Sequence, residues 1–237
     1  MSSLPSSLLT RVPPPGEQHV TGPEPTGPAF EMLGEFRLIE SLGRGGMGEV
    51  FLGHDVLLDR PVAIKILHDD EALRATHAAY LNEARAAARI QHPNVAAVYR
   101  VGEIDGRKFI VGELVRGQSL DKGVKPLPWR RVLELAIGLS RGLAASHRRG
   151  VLHGDIKPAN AILAEDGTVK LVDFGLAQLV NAERASDPTE VLGTPCYMAP
   201  ETWSGQPLSR QSDVYAMGAL LYELCTGRPP FFGKQPH

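Results

Sequence analysis

The chain has 237 residues, 43% of them hydrophobic, enough for one large domain or two small lobes with a packed core. Its 25 basic and 27 acidic side chains leave a formal charge of −2, so nothing at whole-chain level points to nucleic acid or an anionic membrane. Only Cys196 and Cys225 are present, which excludes a disulfide scaffold and favours a reducing compartment; no apolar run reaches the roughly 18 residues of a membrane span, and a secretory signal is not expected.

The first element in chain order is a tail. Of the 19 prolines, 7 fall in the first 30 residues, whereas 22 of the 25 glycines follow them. Residues 1–33 are rich in Ser, Pro, Gly and Thr, without periodicity, and are expected to stay disordered because they bury too little apolar area to offset ordering entropy. Strands are then expected at 36–39, 50–52 and 61–67, followed by an alanine-rich helix over 70–91 that the sequence His92-Pro93-Asn94 ends. On that helix Leu73, Tyr80, Leu81, Ala84, Ala88 and Ile90 are expected to share much of one face. Two more strands, 96–103 and 108–113, flank a turn at Asp105-Gly106.

After Gly117 the pattern becomes helical. The segment 129–149 carries Val132, Leu133, Leu135, Ala136, Leu139, Leu143 and Ala144 at helical spacing. Short strands at 161–163 and 169–171 enclose a turn at Asp166-Gly167; a long polar loop over 173–201 follows, then an apolar helix over 213–225. Strands first and helices second imply an α+β chain with a small β-rich lobe and an α-rich lobe.

Three motifs carry chemistry. Gly43-Arg44-Gly45-Gly46-Met47-Gly48-Glu49-Val50 matches G-x-G-x-x-G, a pattern shared by dinucleotide-binding turns and phosphate-covering flaps. A dinucleotide turn opens a helix, whereas here Val50-Phe51-Leu52 reads on as strand. An ordinary glycine hairpin is the competing reading. Lys65, in Val62-Ala63-Ile64-Lys65, is a cation in an apolar strand behind that flap, and Glu83 on the next helix is its candidate anion. The third motif, His153-Gly154-Asp155-Ile156-Lys157-Pro158-Ala159-Asn160, is followed 13 residues later by Asp173-Phe174-Gly175.

With Ala199-Pro200-Glu201, these motifs stand in the order of the protein-kinase signature set. From about residue 36 the chain resembles the protein kinases, closest to the bacterial members of the eukaryotic-type Ser/Thr kinase family. The resemblance implies a two-lobed fold, with an N-lobe over 34–113 and, over 114–237, a C-lobe lacking its last helices. It implies ATP and Mg²⁺ as nucleotide and cofactor and protein Ser/Thr hydroxyls as acceptors; a cytoplasmic location is expected for this chain, with a membrane anchor in a longer form as the alternative. Asp155 would take the hydroxyl proton, Lys157 would stabilise the γ-phosphoryl charge, and Lys65 and Glu83 would pair to anchor the α- and β-phosphates. Asn160 and Asp173 would hold Mg²⁺. Leu42, Gly43, Arg44, Gly45, Gly46, Met47, Gly48, Glu49 and Val50 would cover the nucleotide. Ala63, Val50 and Ile162 would wall the adenine, to which Glu113 and Val115 would present backbone groups. Thr194 would belong to the substrate platform, Glu201 would be structural, and Asp213 would brace the catalytic loop. The long segment ending in Gly193-Thr194-Pro195 argues against a small-molecule kinase. The alternative is a catalytically inactive, kinase-like fragment that binds nucleotide or a partner.

Three features depart from the family pattern. Gly112 stands before Glu113 where a bulky residue is usual, so a deeper adenine pocket is expected, open to bulky N6-substituted ATP analogues. The chain ends soon after the apolar helix, so surface around Leu220, Leu221 and Leu224 is expected to be partly exposed, with Glu201 short of an arginine partner. Gly154 replaces the arginine that binds an activation-loop phosphate, so Ser186 or Thr189 phosphorylation is expected to couple weakly to the site. Thr189→Ala should therefore leave the rate of phosphate transfer within about threefold of the parent; complete loss, reversed by phosphorylation in the parent, would overturn that expectation.

Overall fold

The computed structural model describes residues 31–45, 48–68, 84–174 and 195–231. Its first part is an antiparallel sheet of β1 (Met32–Leu33), β2 (Phe36–Gly45), β3 (Gly48–Asp55), β4 (Arg60–Leu67), β5 (Val98–Ile104) and β6 (Arg107–Gly112), in the order β1-β2-β3-β4-β6-β5. Residues 32 and 33, expected to belong to the tail, are strand instead: Leu33 is 2% exposed and its strand pairs with β2.

Alternation sets the two faces of this sheet. Val62, Ile64 and Ile66 of β4 and Phe109 and Val111 of β6 point into one core with Leu33, Phe36 and Leu38. The intervening residues, Ala63 and Lys65, lie on the opposite face. Register places Val50 opposite Lys65 and Leu52 opposite Ala63, so these four share that face. The expected strands are all present, and the segment after the glycine motif is strand β3, which removes the dinucleotide-turn reading.

The second part is built on α1 (Trp129–Arg148), α2 (Pro200–Trp203) and α3 (Arg210–Thr226), beside a small sheet of β7 (Gly117–Ser119), β8 (Ala161–Ala164) and β9 (Val169–Leu171). Helix α3 begins at a capping box in which Ser209 Oγ accepts from Ser212 N–H at 3.2 Å and Ser212 Oγ accepts from Ser209 N–H at 2.9 Å. It ends at Gly227, in the left-handed conformation at φ 83°. Val132, Leu135, Leu139 and Leu143 of α1 pack with Met217, Leu220 and Leu224 of α3, together with Ile156, Leu171 and Phe174.

The phase of these helices differs from expectation at several residues. Leu220 and Leu224 are both 0% exposed, because their face of α3 is the one turned to the core. The outward face is Val214, Gly218 and Tyr222, one turn apart, and Val214 is exposed. On α1, Leu133 and Ala144 point outward as well. In the described end of the preceding helix, Ala84, Ala87 and Ile90 are buried and Ala88 is exposed; Leu73, Tyr80 and Leu81 lie outside the described residues.

The chain leaving that helix docks on the second lobe. Asn94 donates from Nδ2 to the Val169 carbonyl at 2.7 Å, and its own carbonyl accepts from Leu171 N–H at 2.9 Å. A Cβ at Gly142 of α1 would stand 2.6 Å from the Asn94 carbonyl oxygen, so helix and loop meet there only because the side chain is missing. Gly218 on α3 has nothing within 4 Å of the same position. Alanine is the better helix former at both sites by about 1 kcal/mol. Gly218→Ala should stabilise by up to that amount, whereas Gly142→Ala should destabilise by about 1–3 kcal/mol through overpacking; urea unfolding of the two variants checks the opposite signs.

Candidate active site

The glycine flap is the β2–β3 hairpin, closed by the pair Gly45 and Gly48. Nothing lies within 4 Å of a Cβ at Gly43 or Gly45, so their backbone is unobstructed. Gly48 answers a different demand. Its φ is +153°, and a Cβ there would stand 2.2 Å from the Ile66 carbonyl oxygen, so glycine is needed for β3 to meet β4. Glu49 crosses the flap, accepting from Ser41 Oγ at 2.6 Å and pairing with Arg44 at 3.4 Å. Leu42 is exposed, and Val50 is half-buried behind the flap. Gly46, Met47, Glu83 and Thr194 lie outside the described residues.

Lys65 reaches across the lobes. Its Nζ donates to Asp173 Oδ2 at 2.8 Å, joining residues 108 apart in sequence. Asp173 is held at φ 63°, a left-handed conformation that costs most side chains and that Asp tolerates better. The next residue, Phe174, is buried, with its ring 4.5 Å from that of His153.

Asp155 sits between two side chains of its own loop. Lys157 Nζ is 2.7 Å from Asp155 Oδ2, and Asn160 Nδ2 donates to the same oxygen at 2.9 Å and to the Asp155 carbonyl at 2.8 Å. The short turn Pro158–Asn160 then leads into β8, where Ile162 is half-buried. Asn160 is itself buried, and with its amide nitrogen spent on Asp155 its carbonyl oxygen is the atom left for another partner.

The loop backbone is fixed from below by Asp213, which is 2% exposed. Its Oδ2 accepts from His153 N–H at 2.9 Å and its Oδ1 from Gly154 N–H at 2.8 Å, while His147 Nε2 lies 2.8 Å from Oδ2. Gly154 has φ 76°, so glycine relieves strain at the position where arginine is usual in the family. His153 is fully buried. Burial lowers its pKa, against the opposing pull of Asp213, Asp155 and Asp173. Its Nδ1 accepts from Asp155 N–H at 3.3 Å, which leaves the proton on Nε2, a buried atom with no partner among the described residues.

At the junction between the lobes, Glu113 N–H donates to the Ala97 carbonyl at 2.8 Å, so the backbone group it offers to a ligand is its carbonyl. Its side chain accepts from Lys170 at 2.7 Å and from Ala97 N–H at 3.2 Å. Val115 is half-buried just beyond. A Cβ at Gly112 would lie 2.9 Å from the Ala97 carbonyl oxygen, so main chain takes part of the space that this glycine was expected to open. Ala63, paired with Gly112 across the sheet, is half-buried nearby. Glu201 starts α2, half-buried, and makes no ion pair with a described residue.

Lys170, His147 and the trio Lys125, Glu223 and Tyr197 were not singled out in the sequence. Lys125 Nζ and the Tyr197 hydroxyl both donate to the Glu223 carboxylate, one to each oxygen. No short motif marks them, since their partners are 57, 66, 98 and 26 residues away.

Residues 36–237 match the family model described as protein kinase domain. A probable serine/threonine-protein kinase of Streptomyces coelicolor is 43% identical over 214 residues, which are 86% of this chain and 32% of that protein. The serine/threonine-protein kinase PrkC of Bacillus subtilis is 35% identical over 209 residues, 85% of this chain and 32% of that one. The chain thus spans about a third of the length of these curated relatives. Among solved structures, the Mycobacterium tuberculosis PknI kinase domain superposes with a TM-score of 0.70 at 28% identity, covering 87% of this chain and 81% of that one. A two-lobed α+β fold, the match to the family model and these relatives agree: the chain belongs to the protein kinase family, and the relatives it resembles are bacterial serine/threonine-protein kinases.

Proposed function

We propose that this chain transfers the γ-phosphoryl group of Mg-ATP to serine or threonine hydroxyls of proteins. The observation that carries the reading is the 2.8 Å contact between Lys65 of β4 and Asp173 after β9, which brings a phosphate-binding cation and a metal-binding carboxylate to one place. Asp155, clasped by Lys157 and Asn160, supplies the third group the reaction needs.

The donor set suits the ion. Asp173 offers a carboxylate and Asn160 an amide oxygen, both hard ligands of the kind Mg²⁺ prefers. When bound, the ion neutralises charge on the phosphate oxygens. Gly43 and Gly45 let the flap backbone approach those phosphates, and Lys65 anchors them. The Glu113 carbonyl and the Val115 backbone take the adenine edge, with Val50, Ala63 and Ile162 as apolar walls. Asp155 accepts the proton of the acceptor hydroxyl as its oxygen bonds to the γ-phosphorus. The bond from that phosphorus to the β–γ bridging oxygen breaks, and ADP leaves. Lys157, 2.7 Å from Asp155, balances charge on the transferring group. Thr194 and its neighbours present the acceptor chain, and Lys157-Pro158 fits a Ser/Thr preference.

Asp155→Asn should lower transfer of labelled γ-phosphate to a generic basic protein by roughly 10²–10⁴-fold while leaving the thermal melt close to that of the parent. Equal labelling by both proteins would remove the enzymatic reading and leave the nucleotide- or partner-binding one.

The floor of the site depends on a neutral ring. His153 has a depressed pKa in the fold, so acid protonates it first in the unfolded chain. Its stability contribution is complete above the usual value of about 6.5 and is lost as pH falls from there toward the depressed folded value. His92, lowered by burial and by Arg148 and Arg141, adds a slope of the same sign. His153→Asn should therefore flatten unfolding free energy against pH below about 6.5, measured by urea unfolding at stepped pH; an unchanged slope would assign the acid sensitivity elsewhere.

A further inference from the structure

The flap joins the sheet through an interrupted ladder. Between β2 and β3 the register slips twice, between Leu38 and Glu40 and between Ser41 and Gly43. Each slip disrupts the regular bonding and bends the strand. The end of β2 at Gly45 therefore takes part of its position from side chains. Ser41 Oγ donates to Glu49 Oε1 at 2.6 Å, and Arg44 pairs with Glu49 Oε2 at 3.4 Å. His68, just past the end of β4, donates from Nε2 to the Gly45 carbonyl at 3.2 Å. A carbonyl only accepts, so the proton is assigned to Nε2, where the imidazolium and one neutral tautomer both carry it.

These contacts share one face of the flap. Glu49 stands opposite Ile66 in the register, on the face turned away from Val50, Ala63 and Lys65. Along β4 that face is Val62, Ile64 and Ile66, and alternation carries it on to His68. Ser41, Arg44 and His68 are exposed. The fastenings therefore lie behind the flap and leave its nucleotide side free.

We propose that His68 is a positioning residue for the nucleotide's phosphates: it holds the flap from behind by the Gly45 carbonyl, with Glu49, clasped by Ser41 and Arg44, as the second fastening. The inference rests on the kinase reading above, in which the flap backbone meets the phosphates. Glycine is the reason a fastening matters. Its backbone loses more freedom on ordering than that of any other residue. A loose flap would undergo that loss when the ligand binds, and affinity would fall accordingly. Nothing lies within 4 Å of a Cβ at Gly43 or Gly45, so no packing restrains them there. A planar peptide turns as one unit, so a bond to the Gly45 carbonyl fixes which side of the strand its polar groups face. The adenine edge is met elsewhere, by Glu113 and Val115, which take no part in these contacts.

The test compares binding of Mg-ATP and of adenosine, by calorimetry, to the full chain and to His68→Phe and His68→Gln. Adenosine has no phosphates, so it reads the adenine end of the cleft and the integrity of the fold together. His68→Phe keeps a ring and removes the donor; it should weaken Mg-ATP binding roughly fivefold and leave adenosine within about twofold of the parent. Glutamine carries an N–H donor as many bonds from Cβ as the histidine Nε2, so His68→Gln should bind both ligands as the parent does. Unchanged Mg-ATP affinity in His68→Phe would overturn the proposal. Equal losses for Mg-ATP and adenosine would overturn it too, as would failure of glutamine to restore binding. A parent chain that binds Mg-ATP but transfers no phosphate would instead defeat the kinase reading alone, and the binding comparison would still decide the role of His68. A parent that binds no Mg-ATP would defeat both.

Discussion

The buried carboxylate of Asp213 is the point on which the site is hung. A charge only 2% exposed survives because it accepts from two backbone amides and meets a histidine side chain. Those donors belong to two parts of the lobe, the end of α1 and the loop that carries Asp155, and Asp213 ties both to α3. Asp213 in turn keeps its place through the capping box at Ser209 and Ser212, which fixes the first turn of α3. A local signal at a helix start thus positions a carboxylate about four residues later, and that carboxylate orients the catalytic loop. The left-handed backbone at Gly154, with φ 76°, is the conformation that lets both amides point at one side chain, and glycine adopts it without strain.

Packing around this anchor is arranged so that the lobes share structure. The loop at Asn94 comes from the first lobe and bonds to β9 in the second, and it lies against α1 where Gly142 leaves room. β9 leads directly to Asp173, whose carboxylate reaches back to Lys65. Two crossings of opposite direction therefore flank the cleft.

The motif-borne part of the site was legible because its residues are close in sequence: Asp155, Lys157 and Asn160 lie on one loop and do touch. The strands were legible through alternation, as at Val62, Ile64 and Ile66. Helical spacing identified α1 and α3 but left their phase ambiguous, because both are apolar over more than one face. That is why Val214 and Leu133 turned outward while Leu220 and Leu224 turned in. Strand β1 was missed because two residues show no period, and β7 because its three residues are mostly exposed. The pairs Lys170 with Glu113 and Lys125 with Glu223 left no trace in the sequence, since a surface lysine and a core-edge lysine read alike until the fold brings a carboxylate to one of them.

The Glu113 side chain has a mechanical meaning as well. It holds Ala97 at the entry to β5 and Lys170 on β9, so one residue grips both lobes at their shared edge. A grip at one edge turns any relative motion into rotation about it, and displacement grows with distance from the pivot. The mouth of the cleft, bordered by the unobstructed backbone of Gly43 and Gly45, is the part such a rotation would move most, and the edge held by Glu113 the part it would move least. A nucleotide held as proposed above would then enter and leave by its phosphate end.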